Sequence, residues 1–329
     1  MIHGGNVWQG GDPSQWLDFS ANLRPEGPPK WVKREMQLGL AQIQYYPEVN
    51  LEAARTGVAA FVGAPPECVL PTAGGLSAID LICRSGTGRV CTLSPFTFGE
   101  YARRAEACGR ETAADGETFR PGDDVFLCNP NNPTGEALSS QSVLLLAGRV
   151  QNQGARLIVD EAFGAYEPML SVAREAAVTP GLAVVGSLTK ILGVPGARLG
   201  YLIACPETVD RLEALQGPWA LNSLAVAVAR ALPRHLEEIA MDAQLNRLRR
   251  QRLTLGLREL GARVTDSHAN FVLADFNRPM SAAAKGLREE KILVRLCDSF
   301  GFPDSCWRLA VKTEAEQKRL LSALERWMR

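Results

Sequence analysis

Short runs of apolar residues, separated by segments of helical periodicity, constrain the fold more than any other feature of the sequence. Five such runs lie at residues 90–93, 125–128, 157–160, 183–186 and 199–204. Helical spacing of apolar residues fills segments between them, such as 77–83 and 142–152. Strands that are apolar on both faces and alternate with helices are typical of a mostly parallel sheet covered by helices on both sides. The sequence therefore predicts an α/β fold.

The pattern changes at both ends of this region. Residues 1–29 are rich in Gly, Pro, Asn and Trp, and Pro25, Pro28 and Pro29 exclude a regular helix. After Pro218 the spacing predicts long amphipathic helices over 222–260, short strands at 271–274, 292–296 and 307–311, and a closing helix over about 314–327. We predict three parts: an N-terminal arm (1–29) that packs on the small domain, a large domain (30–220) and a smaller α+β domain (221–329).

Charge and hydropathy exclude several classes of partner. Lys and Arg number 36, as do Asp and Glu, so the formal net charge is zero. No global field attracts nucleic acid or an anionic membrane. No apolar run approaches the roughly 18 residues of a membrane span, and the first residues lack the pattern of a signal peptide. The sequence predicts a cytoplasmic protein without a nucleic-acid or membrane partner.

The cysteines show no metal-binding spacing. There are eight of them, none forms a CxxC pair, and several lie in the apolar runs. We expect small, reduced core residues, with a disulfide or zinc framework as the alternative. No metal site is predicted.

Lys190 follows the run at 183–186 closely, where a parallel strand would end. The carboxyl ends of such strands are where α/β sheets place ligands. A partly desolvated lysine loses its proton more easily and becomes a nucleophile that forms imines. A surface lysine at a strand end is the alternative for Lys190 taken alone. However, Ser187 and Arg198 can both reach one phosphate group beside it, the hydroxyl with one hydrogen bond and the guanidinium with two.

Three further segments point to a bound ring and its phosphate. Asp160 ends the run at 157–160, where a carboxylate is costly unless it faces a cation such as a protonated pyridine nitrogen; a helix N-cap is the alternative. Asn132 lies in a turn after the run at 125–128, and its amide can bond a phenolic ring oxygen. Gly74 and Gly75 precede a helix whose free N–H groups can bind an anion.

Segments 129–135, 160–163, 187–190 and 196–201 together resemble those of the fold-type I pyridoxal 5′-phosphate (PLP) enzymes, the aspartate aminotransferase superfamily. More narrowly, they resemble its histidinol-phosphate aminotransferase branch, over nearly the whole chain and in the same order. The resemblance implies a large, mostly parallel sheet domain with a smaller α+β C-terminal domain. It also implies PLP as the cofactor, bound to Lys190, which afterwards shuttles protons.

The resemblance implies further roles. Asp160 pairs with the pyridine nitrogen, Asn132 contacts the ring hydroxyl, and Phe98 stacks on the ring. The groups that hold the cofactor phosphate are the N–H groups of Gly75 and Leu76 and the side chains of Ser187 and Arg198.

Other matching residues concern the second subunit and the substrate. Tyr46 matches a tyrosine that reaches the phosphate bound by the partner subunit, which implies a homodimer. Arg308 matches an arginine that binds a substrate carboxylate or an equivalent anion, and Arg295 matches a second anion-binding arginine of the branch.

The chain opens with the segments 3–6, 18–22 and 27–29. These segments resemble the opening of the threonine-phosphate decarboxylases of cobalamin biosynthesis. Phe163 also fits that group, because histidinol-phosphate aminotransferases usually carry Tyr there. His3 and Asn22 are candidates for contacts near the substrate phosphate; a terminal residue without a ligand and a turn-stabilising Asn are the alternatives. The substrate is expected to be a small phosphorylated amino acid.

The resemblance to this group implies decarboxylation of L-threonine O-3-phosphate, or a close analogue such as serine phosphate, to (R)-1-aminopropan-2-yl phosphate. A histidinol-phosphate-type aminotransferase is the alternative. A non-catalytic regulator is a more distant one, since the first 29 residues show no helix-turn-helix pattern and no basic patch.

Overall fold

The computed structural model describes residues 4–114 and 118–328. Its strands are β1 (Leu17–Asp18), β2 (Val69–Thr72), β3 (Val90–Thr92), β4 (Thr112–Ala114), β5 (Asp124–Cys128), β6 (Arg156–Glu161), β7 (Leu182–Ser187), β8 (Gly200–Ile203), β9 (Arg263–Val264), β10 (Phe271–Asp275), β11 (Ile292–Leu293), β12 (Arg295–Leu296) and β13 (Cys306–Ala310). Its α-helices are α1 (Lys30–Leu40), α2 (Glu52–Val62), α3 (Gly75–Ser85), α4 (Glu100–Ala107), α5 (Ser140–Asn152), α6 (Ala173–Ala176), α7 (Leu188–Ile191), α8 (Pro206–Gln216), α9 (Ser223–Ala231), α10 (Leu236–Glu259), α11 (Ser281–Glu289) and α12 (Glu314–Met328).

The central sheet has seven strands within the described residues, in the order β2-β8-β7-β6-β5-β3-β4. The strands from β4 to β7 are mutually parallel, whereas β8 runs antiparallel to both β7 and β2. The predicted mostly parallel α/β sheet is confirmed. The five apolar runs correspond to β3, β5, β6, β7 and β8. The short strands β2 and β4 were not predicted; β2 contains Pro71, and β4 is largely exposed.

Both faces of the sheet are buried, as the apolar runs predict. Along β6, Leu157 and Val159 belong to one apolar cluster, while Ile158 between them belongs to another. Helices cover these faces, and some begin at side-chain caps. Ser139 accepts a hydrogen bond from the third residue of α5, and Asn222 does the same for α9.

The C-terminal part forms a four-stranded antiparallel sheet in the order β12-β13-β10-β9. The prediction of a single strand over 292–296 is wrong. Strand β11 pairs in parallel with β1 of the arm, and β12 pairs with β13, because the chain changes partner at Val294. The amphipathic pattern over 222–260 corresponds to α9 and α10, although Leu245 and Leu248 are exposed while Leu253 and Leu257 are buried. The three-part division of the chain stays a prediction.

All eight cysteines are free, and six of them are buried, as expected for reduced core residues; Cys108 and Cys205 are partly exposed. Among the described residues, no helix combines the length and the apolar character that crossing a membrane requires.

Candidate active site

A cavity of about 690 Å³ opens at the carboxyl ends of the parallel strands. Asn132 follows β5, Asp160 lies near the end of β6, and Lys190 follows β7; all three line this cavity. Neighbouring parallel strands end at one edge of a sheet, so residues far apart in sequence converge there. The structure thus brings together the three ring-contacting candidates of the sequence analysis.

Lys190 lies in the short helix α7, directly after β7. Its carbonyl oxygen accepts a hydrogen bond of 3.1 Å from the Arg24 backbone N–H, which fixes the local chain. Burial lowers the pKa of the Lys190 ammonium to about 8, aided by the positive charges of Arg308 and Arg198 and opposed by Asp160. About a tenth of Lys190 is then neutral at pH 7, far more than for an exposed lysine. A neutral amine in a cavity is a nucleophile toward carbonyl groups.

The Asp160 carboxylate is held by Tyr101, a residue for which the sequence predicted no role. The hydroxyl of Tyr101 donates to Oδ2 of Asp160 at 2.6 Å, and the Ala162 N–H donates to Oδ1 at 2.9 Å. The Tyr101 ring, fully buried, stacks on Phe126 with ring centroids 4.7 Å apart. Burial raises the pKa of Asp160, while these two hydrogen bonds and the Lys190 charge oppose that rise. A cation beside Asp160 is therefore favourable.

Backbone N–H groups and the Arg198 side chain form a small cradle of hydrogen-bond donors at the start of α3. Gly74 precedes this helix with a φ of +86°, and a Cβ on Gly74 would lie 2.8 Å from Nη2 of Arg198. Gly200 approaches so closely that a Cβ there would lie 2.6 Å from the Gly75 nitrogen. The first N–H groups of α3, at Gly75 and Leu76, have no partner within the helix. Position 74 requires glycine both because its φ is positive and because a Cβ there would meet Arg198.

Ser187 stands beside the same cradle. Its Cβ lies 3.8 Å from the position that a Cβ would take on Gly75. Its hydroxyl lies 2.7 Å from that of Thr189, which is buried and was not among the predicted residues. The sequence offered a signal for Thr189, because two hydroxyl residues flank Leu188 immediately before Lys190.

Arg308 is buried in the cavity wall and joins two distant parts of the chain. Its Nη1 donates to Oδ1 of Asn132 at 2.6 Å, and its Nη2 donates to the Ser20 carbonyl oxygen at 2.7 Å. Its Nε is buried without a hydrogen-bond partner in the described chain. Burial lowers the pKa of the guanidinium to about 10, and the charge of Arg295 contributes. An anion would satisfy both the charge and the donor.

Of the remaining polar candidates, Arg295 and Asn22 line the cavity. Arg295 is buried, lines the cavity, and donates through Nη2 to the Ser299 hydroxyl at 2.6 Å. Asn22 also lines it, and its buried Oδ1 has no hydrogen-bond partner among residues that the structure describes. His3 lies outside the described residues.

Two of the three aromatic candidates reach the cavity. Phe98 and Phe163 line the cavity. Tyr46 does not line it; its side chain is 80% exposed and packs against Trp219, with ring centroids 4.6 Å apart. The surface around Tyr46 is apolar and exposed, including Leu40, Ile43, Tyr45 and Val49.

The donor set fits a phosphorylated pyridine aldehyde. The cradle at α3 suits a phosphate, Asp160 suits a ring cation, and Lys190 suits an aldehyde. Within residues 4–114 and 118–328 the structure contains no group of three or more His, Cys, Asp or Glu side chains placed to hold a metal ion.

The fold is that of a known family. The sequence profile of aminotransferase class I and II matches residues 117–324. The chain belongs to this family.

Within the family, the chain is similar to proteins of two activities. It is 32% identical to a threonine-phosphate decarboxylase of Sinorhizobium sp, covering 99% of this chain and 98% of that protein. It is 30% identical to the threonine-phosphate decarboxylase of Salmonella typhimurium, covering 98% and 95%. A histidinol-phosphate aminotransferase of Jannaschia sp. is 27% identical over 94% of this chain and 90% of that protein.

A solved structure shares the fold. The crystal structure of L-threonine-O-3-phosphate decarboxylase from Porphyromonas gingivalis superposes with a TM-score of 0.84, covering 94% of this chain and 98% of that one at 23% identity.

Proposed function

We propose that this chain is a PLP-dependent decarboxylase that converts L-threonine O-3-phosphate into (R)-1-aminopropan-2-yl phosphate for assembly of the cobalamin nucleotide loop. The observation that carries the proposal is one cavity that combines Lys190 and Asp160 with two buried arginines, Arg295 and Arg308. The first pair suits the cofactor, and the arginines suit a substrate with two anionic groups. The full-length similarity to threonine-phosphate decarboxylases supports this reaction.

PLP supplies, when bound, an aldehyde that condenses with amines and a ring that accepts the electron pair of a bond breaking at Cα. Lys190 offers the amine, and its pKa of about 8 keeps part of it neutral at physiological pH. Asp160 offers a negative charge to the ring nitrogen. The residues proposed for the other contacts are Gly75, Leu76, Ser187 and Arg198 for the phosphate, Asn132 for the ring hydroxyl and Phe98 for the ring face.

The arginines determine which bond breaks. Only the bond perpendicular to the ring plane overlaps its π system, so anchoring the substrate anions selects between the Cα–carboxylate bond and the Cα–H bond. We assign the carboxylate to Arg308 and the phosphate to Arg295, with Asn22 and His3 as further phosphate contacts. The Cα–carboxylate bond breaks, carbon dioxide leaves, and Lys190 Nζ donates one proton to Cα. The substrate amine is retained.

Phe163 stands where a hydroxyl would bind the ring oxygen in the aminotransferase branch. Phe163 is buried, lines the cavity and packs edge-on against Phe271 at 4.9 Å between ring centroids. It offers no hydrogen bond, so the ring oxygen is left to Asn132. This difference favours the decarboxylase over the aminotransferase.

A homodimer accounts for Tyr46. The tyrosine lies outside the cavity of its own chain, on an exposed apolar surface with Trp219. We propose that a second copy covers this surface and that Tyr46 donates to the cofactor phosphate of that copy. Sedimentation should show a dimer. Tyr46→Phe should weaken cofactor binding without dissociating the dimer. An unchanged cofactor affinity would contradict the assignment.

The reaction is tested by mixing the protein with PLP and L-threonine phosphate without a keto acid. Release of one carbon dioxide per substrate consumed, at multiple turnovers, is expected. Accumulation of pyridoxamine phosphate that disappears on adding 2-oxoglutarate would instead identify an aminotransferase. Serine phosphate and histidinol phosphate, tested in parallel, determine the side-chain preference.

A further inference from the structure

We infer that Arg103, on α4 at the mouth of the cavity, is a specificity-determining residue that binds the phosphate group of the substrate together with Arg295. The inference rests on the proposed function and deepens it. Arg103 lines the same cavity as Lys190 and Arg308, and no role in the reaction has been assigned to it so far.

The charges of the substrate require a further cation. A phosphorylated amino acid carries one negative charge on its carboxylate and nearly two on its phosphate at pH 7. Arg308 offsets the carboxylate, and Arg295 offsets about half of the phosphate. A third arginine in the cavity favours binding of the dianion, because a poorly compensated dianion in a partly desolvated site is costly.

Arg103 has an acidic neighbour on its own helix. Its Nη1 donates to the Glu100 carboxylate at 2.7 Å, one turn earlier on α4. Arg104 approaches the other oxygen of the same carboxylate at 3.8 Å and also lies 3.8 Å from Oδ1 of Asp80. Arg103 therefore shares Glu100 with Arg104, while Arg104 has a second acidic neighbour. The pair with Glu100 also orients the Arg103 guanidinium, whose remaining N–H groups can bind an oxyanion in a fork.

The chain just before α4 packs on the segment that follows Arg295. Phe96, in the loop before α4, packs on Phe302, with ring centroids 4.8 Å apart. Phe302 belongs to the segment after β12 that also provides Ser299, the hydrogen-bond partner of Arg295. The loop that leads into α4 is thus joined to the segment that supports Arg295.

The distances within the substrate assign the anions. The carboxylate is attached directly to the reacting Cα, whereas the phosphorus is separated from Cα by Cβ and an ester oxygen. Arg308 is buried beside Asn132 in the deep part of the cavity, while the Arg103 side chain is 36% exposed at the mouth. The deep arginine therefore suits the carboxylate, and the outer one suits the phosphate.

Arg103→Gln tests this assignment, with Arg104→Gln as the matched control on the same helix and the same glutamate. Losing a charge-assisted hydrogen bond should raise KM for L-threonine phosphate about 10–100-fold with kcat within about threefold, while Arg104→Gln stays near wild type. Arg103→Lys, which keeps the charge, should recover about half of this loss on a logarithmic scale.

A binding measurement separates this inference from the proposed reaction. The absorbance of the PLP-bound protein is titrated with L-threonine phosphate and with L-threonine. Arg103→Gln should weaken binding of the phosphorylated amino acid alone, even if the wild-type protein catalysed a different reaction. Equal weakening of both ligands, or of neither, would overturn the role of Arg103. A wild-type protein that binds but does not release carbon dioxide would overturn only the proposed decarboxylation.

Discussion

Tyr101→Phe removes the hydroxyl that donates to Asp160, the residue proposed to hold the ring cation of the cofactor. The Tyr101 ring is fully buried and stacked on Phe126, so phenylalanine can occupy the same space. Asp160, 3% exposed, then loses its 2.6 Å hydrogen bond and keeps the one from the Ala162 N–H. A hydrogen bond to a charged group contributes about 1.5–3 kcal/mol, so kcat/KM should fall about 10–100-fold.

The direction of the pH effect follows from the same bond. The Tyr101 hydroxyl opposes the rise in pKa that burial imposes on Asp160, so its removal raises that pKa further. In the proposed role, the Asp160 carboxylate must be ionised to hold the ring cation. The acid limb of the kcat/KM profile should therefore move to higher pH in the variant, and the affinity for PLP should fall.

The control is another buried tyrosine, Tyr166, whose oxygen accepts a hydrogen bond of 3.0 Å from Asn270. Tyr166 does not belong to the cavity lining. Tyr166→Phe should cost stability without moving the acid limb. Steady-state kinetics between about pH 5 and pH 9 would check both variants. If Tyr101→Phe retained activity within twofold and an unshifted profile, the reasoning about Asp160 would be refuted.

Two further expectations concern cofactor binding. The rate at which the apoprotein captures PLP, followed by absorbance, should rise about tenfold from pH 7 to pH 9, because the neutral fraction of Lys190 rises with a pKa of about 8; a flat rate would contradict the lowered pKa. Gly74→Ala should weaken PLP binding at least about tenfold, because position 74 has a φ of +86° and a Cβ would meet Arg198. Gly148→Ala, in open space on α5, is its control in the same equilibrium titration and should leave the affinity unchanged.

The sequence predicts the large sheet because its strands are buried on both faces, which leaves continuous apolar runs such as 157–160 in β6. It also predicts that Asp160 and Lys190 meet, because both lie at the carboxyl ends of neighbouring strands. It does not predict the bond from Tyr101 to Asp160, whose partners are 59 residues apart and whose existence depends on how α4 packs. The sequence does not predict the change of partner at Val294 either, since residues 292–296 form one uninterrupted extended segment.

The contacts of Arg308 are even harder to predict from the sequence. Its two acceptors lie 176 and 288 residues away in the sequence, in the turn after β5 and in the arm. Only the assembled topology brings these three segments together. The sequence motif could therefore indicate an anion-binding arginine but not the two bonds that fix its orientation.

The pairing of β1 with β11 has a mechanical consequence. The arm residues Leu17 and Phe19 belong to the apolar core that also contains Ile292 and Leu309. Ser20, which follows them, is thereby placed beside Arg308, whose Nη2 bonds its carbonyl oxygen. A change that loosens the arm would therefore disturb the Arg308 side chain and, through its bond to Asn132, the turn after β5.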